Sequence, residues 1–483
     1  MLTAKSSPST GNVDGSAHTS PSPNNEHPTP LSDAGGRSPS MVGEPSQSGS
    51  TSTIAPSSSV PVTEPVAHRG VELEGPPFLF RPTEQGFGIN VVLKAGEPEA
   101  LGLRLLSLDG TSWSERFPAE PRAVDVAEWE LDGLTAGRRY TYRIVETTND
   151  ETEDRVVYEG SGVTQRPPGE TYSFALLSDS HIGYNLGYAN QGNPQVLADV
   201  GVQLSSTNPD FIVNLGDMVD FHQFGFNAPP PDGSITRGAY LNYRAALGDV
   251  LGNATHFNVI GNWEGENGNY SPQTIQWSRE ARMLYMPGPT PETYGLGGSP
   301  GQDYYAFTWG DATFFVLNVM SYTPTEHLLS EAGGEADDWT LGSEQMAWFR
   351  GAVAAASSRW KFVLIHHAVG GKAGNEANAR YGRGGGLAAE VGEQATVHQL
   401  MKDNGVQIFF YGHDHVFVDM TVDGIHYTEV GASGAPWKFT TAETGYTDYW
   451  SESGWARVDV SSASVRVSFL SDSGVALYDY TLE

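Results

Sequence analysis

The sequence predicts an α/β domain preceded by a small all-β sandwich and a disordered N-terminal segment. Three observations lead there. Residues 1–70 are dominated by Ser, Thr, Pro, Gly and Asn, and no aromatic residue occurs before Phe78. Residues 75–166 break into short apolar runs that partly alternate with polar residues. From 170 to 483, short and nearly all-apolar runs alternate with stretches of helical character. A chain of 483 residues has room for this division, since one domain usually takes about 100–200 residues.

The leader, 1–70, has too little apolar area to offset the entropy of ordering it. Its Ser/Thr/Pro bias matches stalks that hold a domain away from a surface, and equally an inert tail. In the second segment, Gly88–Leu93 and Leu101–Leu105 read as half-buried strands. Trp129–Arg143 reads as a strand, a turn at Gly137 and a second strand with alternating Tyr140 and Tyr142. That stretch resembles the fibronectin type III pattern, in which a corner tyrosine ties the sandwich edge to backbone. No cluster of chemical groups appears in it, so its expected role is packing.

In the third segment Ser173–Leu177, Phe211–Leu215, Thr313–Leu317, Phe362–Ile365 and Val406–Phe410 look like strands covered on both faces. Asn193–Ser205 and Ser343–Ala356 have helical character between them. The terminal stretches Ala456–Val460 and Ser464–Phe469 read as a sheet edge without chemistry.

Composition removes several functions. Lys and Arg number 27 against 58 Asp and Glu, a formal charge of −31. Such a chain repels a phosphate backbone, so nucleic acid is not an expected partner. With no cysteine, disulfides, thiolate metal sites and cysteine nucleophiles are impossible. A metal would have to be held by His, Asp, Glu or Asn. No run of about 18 apolar residues suggests a membrane span, and the start lacks the pattern of a signal peptide.

The chemistry gathers at strand ends. Apolar runs lead into Asp179-Ser180-His181, Gly216-Asp217, Gly261-Asn262, His366-His367 and Gly412-His413-Asp414-His415. One such residue is ordinarily a turn former or a satisfied polar group. Five clusters are another matter, because strand ends on one side of an α/β sheet converge on one crevice. The glycines before Asp217, Asn262 and His413 are expected to permit tight turns that aim those side chains inward.

The ordered blocks Asp-x-His, Gly-Asp, Gly-Asn-x-Glu, His and Gly-His-x-His resemble the calcineurin-like metallophosphoesterase superfamily over most of 170–430. With the preceding sandwich, the chain is similar to purple acid phosphatases. The resemblance implies a four-layered αββα fold and two metal ions, Fe, Mn or Zn. It implies Asp179, His181 and His415 as ligands of one metal and Asn262, His366 and His413 as ligands of the other, with Asp217 bridging. It also implies hydrolysis of a small phosphate ester by a hydroxide shared between the metals, which makes Asp217 and Asn262 catalytic. Phosphomonoesters are preferred by the acid-phosphatase layout, with phosphodiesters as the alternative.

Two departures qualify the likeness. Asp220 stands where purple acid phosphatases have the tyrosine that gives the colour, so no tyrosinate charge transfer is expected. Trp263 stands where the family has a histidine that protonates the leaving group, and indole does not titrate usefully. Its replacements are expected in His222 or His367, both close in sequence to ligands. The absence also suits a catalytically weakened surface protein that binds metal or phosphate. Lys372, Arg380 and Arg383, on a Gly-rich stretch, are candidates to contact phosphate oxygens together with Asn262. Asp414 is expected to fill its motif, and Trp437, beside Lys438, to pack. The stalk-like leader, the fused sandwich and the acidity together suggest an extracellular, periplasmic or cell-surface protein, tethered through the leader.

Overall fold

Alternation hidden inside the apolar runs decides the architecture. The computed structural model describes residues 70–147, 154–185, 191–221, 232–268, 270–320, 339–370, 393–440, 446 and 448–483. The expected leader, His222, Lys372, Arg380 and Arg383 therefore lie outside the described residues. Those described fall in one compact unit, Ala67–Glu483.

Among the described residues, twelve strands build the two large sheets of the α/β part: β1 (Tyr172–Leu177), β2 (Phe211–Asn214), β3 (Thr255–Asn258), β4 (Tyr305–Trp309), β5 (Ala312–Val316), β6 (Trp360–Leu364), β7 (Ile408–Tyr411), β8 (Val418–Val422), β9 (Ile425–Glu429), β10 (Gly454–Val460), β11 (Val465–Ser471) and β12 (Ala476–Leu482). One six-stranded sheet has the order β3-β2-β1-β10-β11-β12 and the other β4-β5-β6-β7-β9-β8. Strands β1, β2 and β3 pair in parallel, as do β5, β6, β7 and β9.

The two sheets pack face to face. Phe174, Leu176, Phe211, Val213, Phe314, Val316, Phe362, Leu364, Ile408 and Phe410 all enter the core between them. There Phe257 stacks on Phe307 with ring centroids 3.9 Å apart. The intervening residues face outward: Ala175, Leu177 and Ile212 meet one helical layer, and Phe315, Val363 and Phe409 meet the other. Helices α1 (Pro194–Thr207), α2 (Ser234–Leu247) and α3 (Pro272–Tyr285) form the first layer, and α4 (Gly342–Ala355) and α5 (Gln394–Asp403) the second. The result is the expected αββα fold. Caps fix the starts of two helices: Asn193 accepts the Gln195 N–H at 3.0 Å, and Ser271 accepts that of Thr274 at 3.1 Å.

One expectation needs correcting. The stretch read as a sheet edge, Ala456–Val460, belongs to β10, which sits mid-sheet against β1. Its Ala456, Val458 and Val460 enter the inter-sheet core while Trp455 turns to the helices. The edge is β12.

The N-terminal strands form two antiparallel sheets, one of five strands and one of four. Leu79, Ile89, Leu103, Trp129 and Tyr142 fill the core between them. Tyr140 Oη accepts the Thr135 N–H at 2.9 Å, tying the second strand to the turn before it. A second set, Phe78, Phe80, Val92 and Val126, packs onto the α1–α3 side of the α/β part. The junction is also polar: buried Arg244 of α2 donates to Asn90 Oδ1 (2.7 Å), Pro76 O (2.7 Å) and Tyr285 O (2.9 Å). Burial lowers that guanidinium to about 9. Among the described residues no helix is long and apolar enough to cross a membrane.

Candidate metal centre

Parallel pairing brings the carboxyl ends of β1, β2, β3, β6 and β7 to one side of the fold, and the five strand-end clusters meet there. Two groups of buried side chains result, Asp179–His181–His415 and Asp217–His366–His413, each able to hold a metal ion. Asp217 links them. Its Oδ2 lies 3.4 Å from His181 Nε2 in the first group and 3.2 Å from His366 Nε2 in its own. Asn262 Oδ1 joins the second group, 2.9 Å from His366 Nε2 and 3.1 Å from His413 Nδ1.

The remaining ring atoms decide which nitrogen faces the centre. His366 Nδ1 donates to Leu215 O at 2.9 Å, and His415 Nδ1 to Trp437 O at 2.9 Å. In both rings Nε2 is left as the inward lone pair. His413 reverses this, presenting Nδ1. Asp179 splits its oxygens: Oδ2 accepts the His413 N–H at 2.9 Å, while Oδ1 faces His415 Nε2 at 3.3 Å.

The fit to metal ions rests on orphaned atoms. Asp179 Oδ1, Asp217 Oδ2 and His181 Nε2 are buried, and none has a hydrogen-bond partner among the described residues. Such groups are costly to bury unless a cation satisfies them. Carboxylate, imidazole and amide donors suit Fe, Mn or Zn. Electrostatics agree. Burial opposes it, yet the His415 and His181 rings hold the Asp179 carboxyl well below the usual range. Burial also lowers His366, but the adjacent Asp217 carboxylate outweighs it and lifts the imidazole to about 10. The cluster thus attracts positive charge at the position of the His366 lone pair.

Backbone strain concentrates at the same place. Asp179, His181, Asp217, His413 and His415 all have positive φ, at 52°, 51°, 53°, 84° and 62°. Left-handed backbone at a non-glycine residue costs about 1–3 kcal/mol and persists where the surroundings enforce it. The expected role of the preceding glycines changes accordingly. Gly216 does take φ 104°. Gly261 and Gly412 serve by having no side chain, because a Cβ would collide with Asp217 and with Ser178 respectively.

Glu264, two residues after Asn262, braces the loops that carry Asp217 and Asn262. It accepts the N–H groups of Gly261 (2.7 Å), Asp217 (3.0 Å), Met218 (2.5 Å) and Val219 (3.5 Å), clamping the Asp217 loop to the Asn262 loop. Burial and the Asp217 charge push its carboxyl up to about 8. Its adjacency to Asn262 in a buried turn was the available signal. Asp414 does more than fill its motif: Oδ2 accepts Tyr446 Oη–H at 3.1 Å and its own N–H donates to Glu429 at 2.8 Å, bracing the 412–415 turn. His367 is buried, its ring 4.9 Å from that of His413 and 5.3 Å from Trp339. Trp437 packs, as expected, but onto the rings of His181 and His415, each 5.0 Å away. Lys438 donates to Ala435 O and Ser453 Oγ, and burial lowers it to about 8.

Residues 172–417 match the family model of calcineurin-like phosphoesterases, half of the chain. The chain belongs to that family. It is a phosphoester hydrolase. Among solved structures this phosphoesterase is similar to PhoD, at 14% identity over 86% of this chain and 90% of that one, with a TM-score of 0.61. That likeness is one of fold. It is also similar to GAP50, the anchor in the inner membrane complex of Plasmodium, at 14% identity, 65% and 88% coverage and a TM-score of 0.36. No curated protein sequence matches this phosphoesterase.

Proposed function

We propose that this phosphoesterase hydrolyses phosphate monoesters in preference to diesters, at a centre for two metal ions. Asp179, His181 and His415 would hold one ion, Asn262, His366 and His413 the other, with Asp217 shared. The observation that carries the reading is the position of Asp217 Oδ2, 3.4 Å and 3.2 Å from imidazole nitrogens of the two groups. Two ions there supply Lewis acidity toward phosphoryl oxygens and the activation of water.

The chain's own residues do the rest. With Asn262 Oδ1 turned to His366 and His413, its amide NH₂ is left to donate to a phosphoryl oxygen. Glu264 keeps Asp217 and Asn262 in register. Trp263, whose backbone N–H donates to Asp217 Oδ1 at 2.8 Å, offers no titratable proton at its ring. A proton for the leaving alcohol falls to His367 or His222. The sandwich fused to the α/β domain supports the monoester preference, and Trp263 favours the alternative, a diesterase with good leaving groups. Export and tethering to the cell surface belong to the same reading, resting on the Ser/Thr/Pro-rich leader and the acidic composition.

The test is kcat/KM for p-nitrophenyl phosphate against bis(p-nitrophenyl) phosphate after loading with Fe, Mn or Zn. A monoester preference supports the proposal. A diester preference replaces it with the alternative.

A further inference from the structure

Beside the Asp179–His181–His415 group stands an aromatic wall. The Trp263 ring meets His181 edge-on at 4.6 Å, and Trp263 and Trp437 lie 5.5 Å apart, tilted by 43°. Phe439 extends the wall, 5.6 Å from His415 and 6.2 Å from His413. All three rings are half-buried, so each keeps part of its surface open to solvent.

The wall is built into the metal centre. The Trp263 backbone N–H donates to Asp217 Oδ1 at 2.8 Å, and its carbonyl accepts the Phe221 N–H at 3.2 Å. The Trp437 carbonyl holds His415 Nδ1 at 2.9 Å. The backbone that aims the ligands therefore also fixes the two indoles. Pre-set aromatic surface of this kind costs little to order when a ligand arrives.

The faces of these rings do not serve the phosphoryl group. Indole and phenyl faces carry negative quadrupole density and repel an anion, and neither ring ligates a hard cation. Their contribution to binding must go to an apolar, polarisable partner. Such a partner can touch the wall and leave phosphorus at the ligand groups only if it is the ester substituent itself. A planar aromatic substituent gains most, by offset or edge-on stacking. The formal charge of −31 disfavours substituents carrying further anionic groups.

We propose that Trp263, Trp437 and Phe439 form a subsite for a planar, uncharged aromatic ester substituent, so that the substrates are aryl-bearing or nucleoside phosphoesters. The inference rests on the phosphoesterase activity proposed for the metal centre and narrows it to a substrate class. In the hydrolysis a water oxygen bonds to phosphorus, the P–O bond to the substituent breaks, and the departing alkoxide takes a proton from that water by way of the site.

The metal-loaded full chain is assayed by phosphate release from three esters of primary alcohols: 2-naphthylmethyl phosphate, adenosine 5′-phosphate and n-hexyl phosphate. Matched alcohols keep leaving-group chemistry nearly constant. At least one aromatic ester should exceed the hexyl ester by about tenfold or more in kcat/KM, mainly through KM. The better of the two identifies an aryl or a nucleoside substituent. That ratio should fall toward one in Trp263→Leu and Trp437→Leu and be kept in Trp263→Phe. A wild-type ratio near one overturns the subsite. So does a ratio unchanged in both Leu variants while all rates fall together, since the rings would then only position ligands.

Binding is read separately by tryptophan fluorescence, titrating with 2-naphthylmethylphosphonate and with ethylphosphonate. Saturable quenching by the naphthyl compound, lost in Trp437→Leu, supports the subsite. No quenching in folded, metal-loaded protein overturns it. If none of the esters nor p-nitrophenyl phosphate is hydrolysed, the activity reading fails, and the titration still decides the subsite.

Discussion

Replacing Glu264 with Gln should loosen the clamp between the loops of Asp217 and Asn262, a change of one atom with a large effect. Oε1 accepts the Met218 and Val219 N–H groups, and Oε2 those of Asp217 and Gly261. A Gln side chain has one acceptor oxygen, so in either orientation one pair of N–H groups faces an NH₂. The smaller loss is the Met218 bond with its long Val219 companion; the larger is both bonds to Asp217 and Gly261. Each buried donor left unsatisfied costs about 1–3 kcal/mol, giving about 1–6 kcal/mol in all. Part is returned, because burial and Asp217 already push the Glu264 carboxyl up to about 8 and Gln carries no charge. A net loss of about 1–4 kcal/mol remains, read as a shifted urea midpoint. Displacing Asp217 relative to Asn262 by about 1 Å should also cost on the order of 10²-fold in kcat/KM. If Glu264→Gln kept its midpoint and its turnover, the clamp would have no part in placing the centre.

Further outcomes are expected at the junction, the buried histidines and the site. Arg244→Met leaves the carbonyls of Pro76 and Tyr285 and the Asn90 side chain without their shared donor, and should lower stability by at least about 3 kcal/mol in urea unfolding; a loss below about 1 kcal/mol would show that the sandwich is held without this donor. His256, buried against Tyr243 Oη at 3.1 Å, is lowered by burial to about 3. Its folded pKa lies below the unfolded value of about 6.5, so the stability it permits is complete above about pH 6.5. That stability falls by up to about 1.4 kcal/mol per pH unit as the medium is acidified toward pH 3. His256→Gln should flatten this slope between pH 7 and 5, and an unchanged slope would place the titration elsewhere. If His367 protonates the leaving group, His367→Asn should lower kcat for alkyl phosphates by about 10²–10⁴ and for p-nitrophenyl phosphate much less; equal losses would assign His367 to packing against His413.

Much of this was legible because function sits at strand ends. The β1, β2, β6 and β7 runs announced themselves by apolar continuity, and parallel pairing gathers the residues at their carboxyl ends in one place. The hidden features depended on packing between distant segments. Helices α2 and α3 carry aromatic and arginine residues on their buried faces, Tyr240, Tyr243, Arg244 and Arg282 among them, residue types that composition alone does not mark as core. Arg244 reads as a surface cation until the sandwich is laid over it. The centrality of β10 comes from its pairing with β1 across almost the whole domain, which local pattern cannot express. Gly261 and Gly412 looked like turn formers, whereas close approach of Asp217 and Ser178 explains them. Trp437 and Phe439 reach the centre only because the chain returns after β9, where a carbonyl meets His415. The candidates His222, Lys372, Arg380 and Arg383 fall outside the described residues, so the proton donor and the cationic contacts to phosphate remain with the proposal.

The most direct test of a shared centre is metal content and turnover measured on the same protein, wild type against Asp217→Ala, after loading with Fe, Mn or Zn and removal of excess metal. The proposed centre predicts two ions per wild-type chain and phosphate release that disappears with chelation. It predicts that Asp217→Ala, which removes the oxygen lying between His181 and His366, loses both occupancy and turnover. A folded wild-type chain that binds no metal, or an Asp217→Ala variant with full occupancy and full activity, would contradict it.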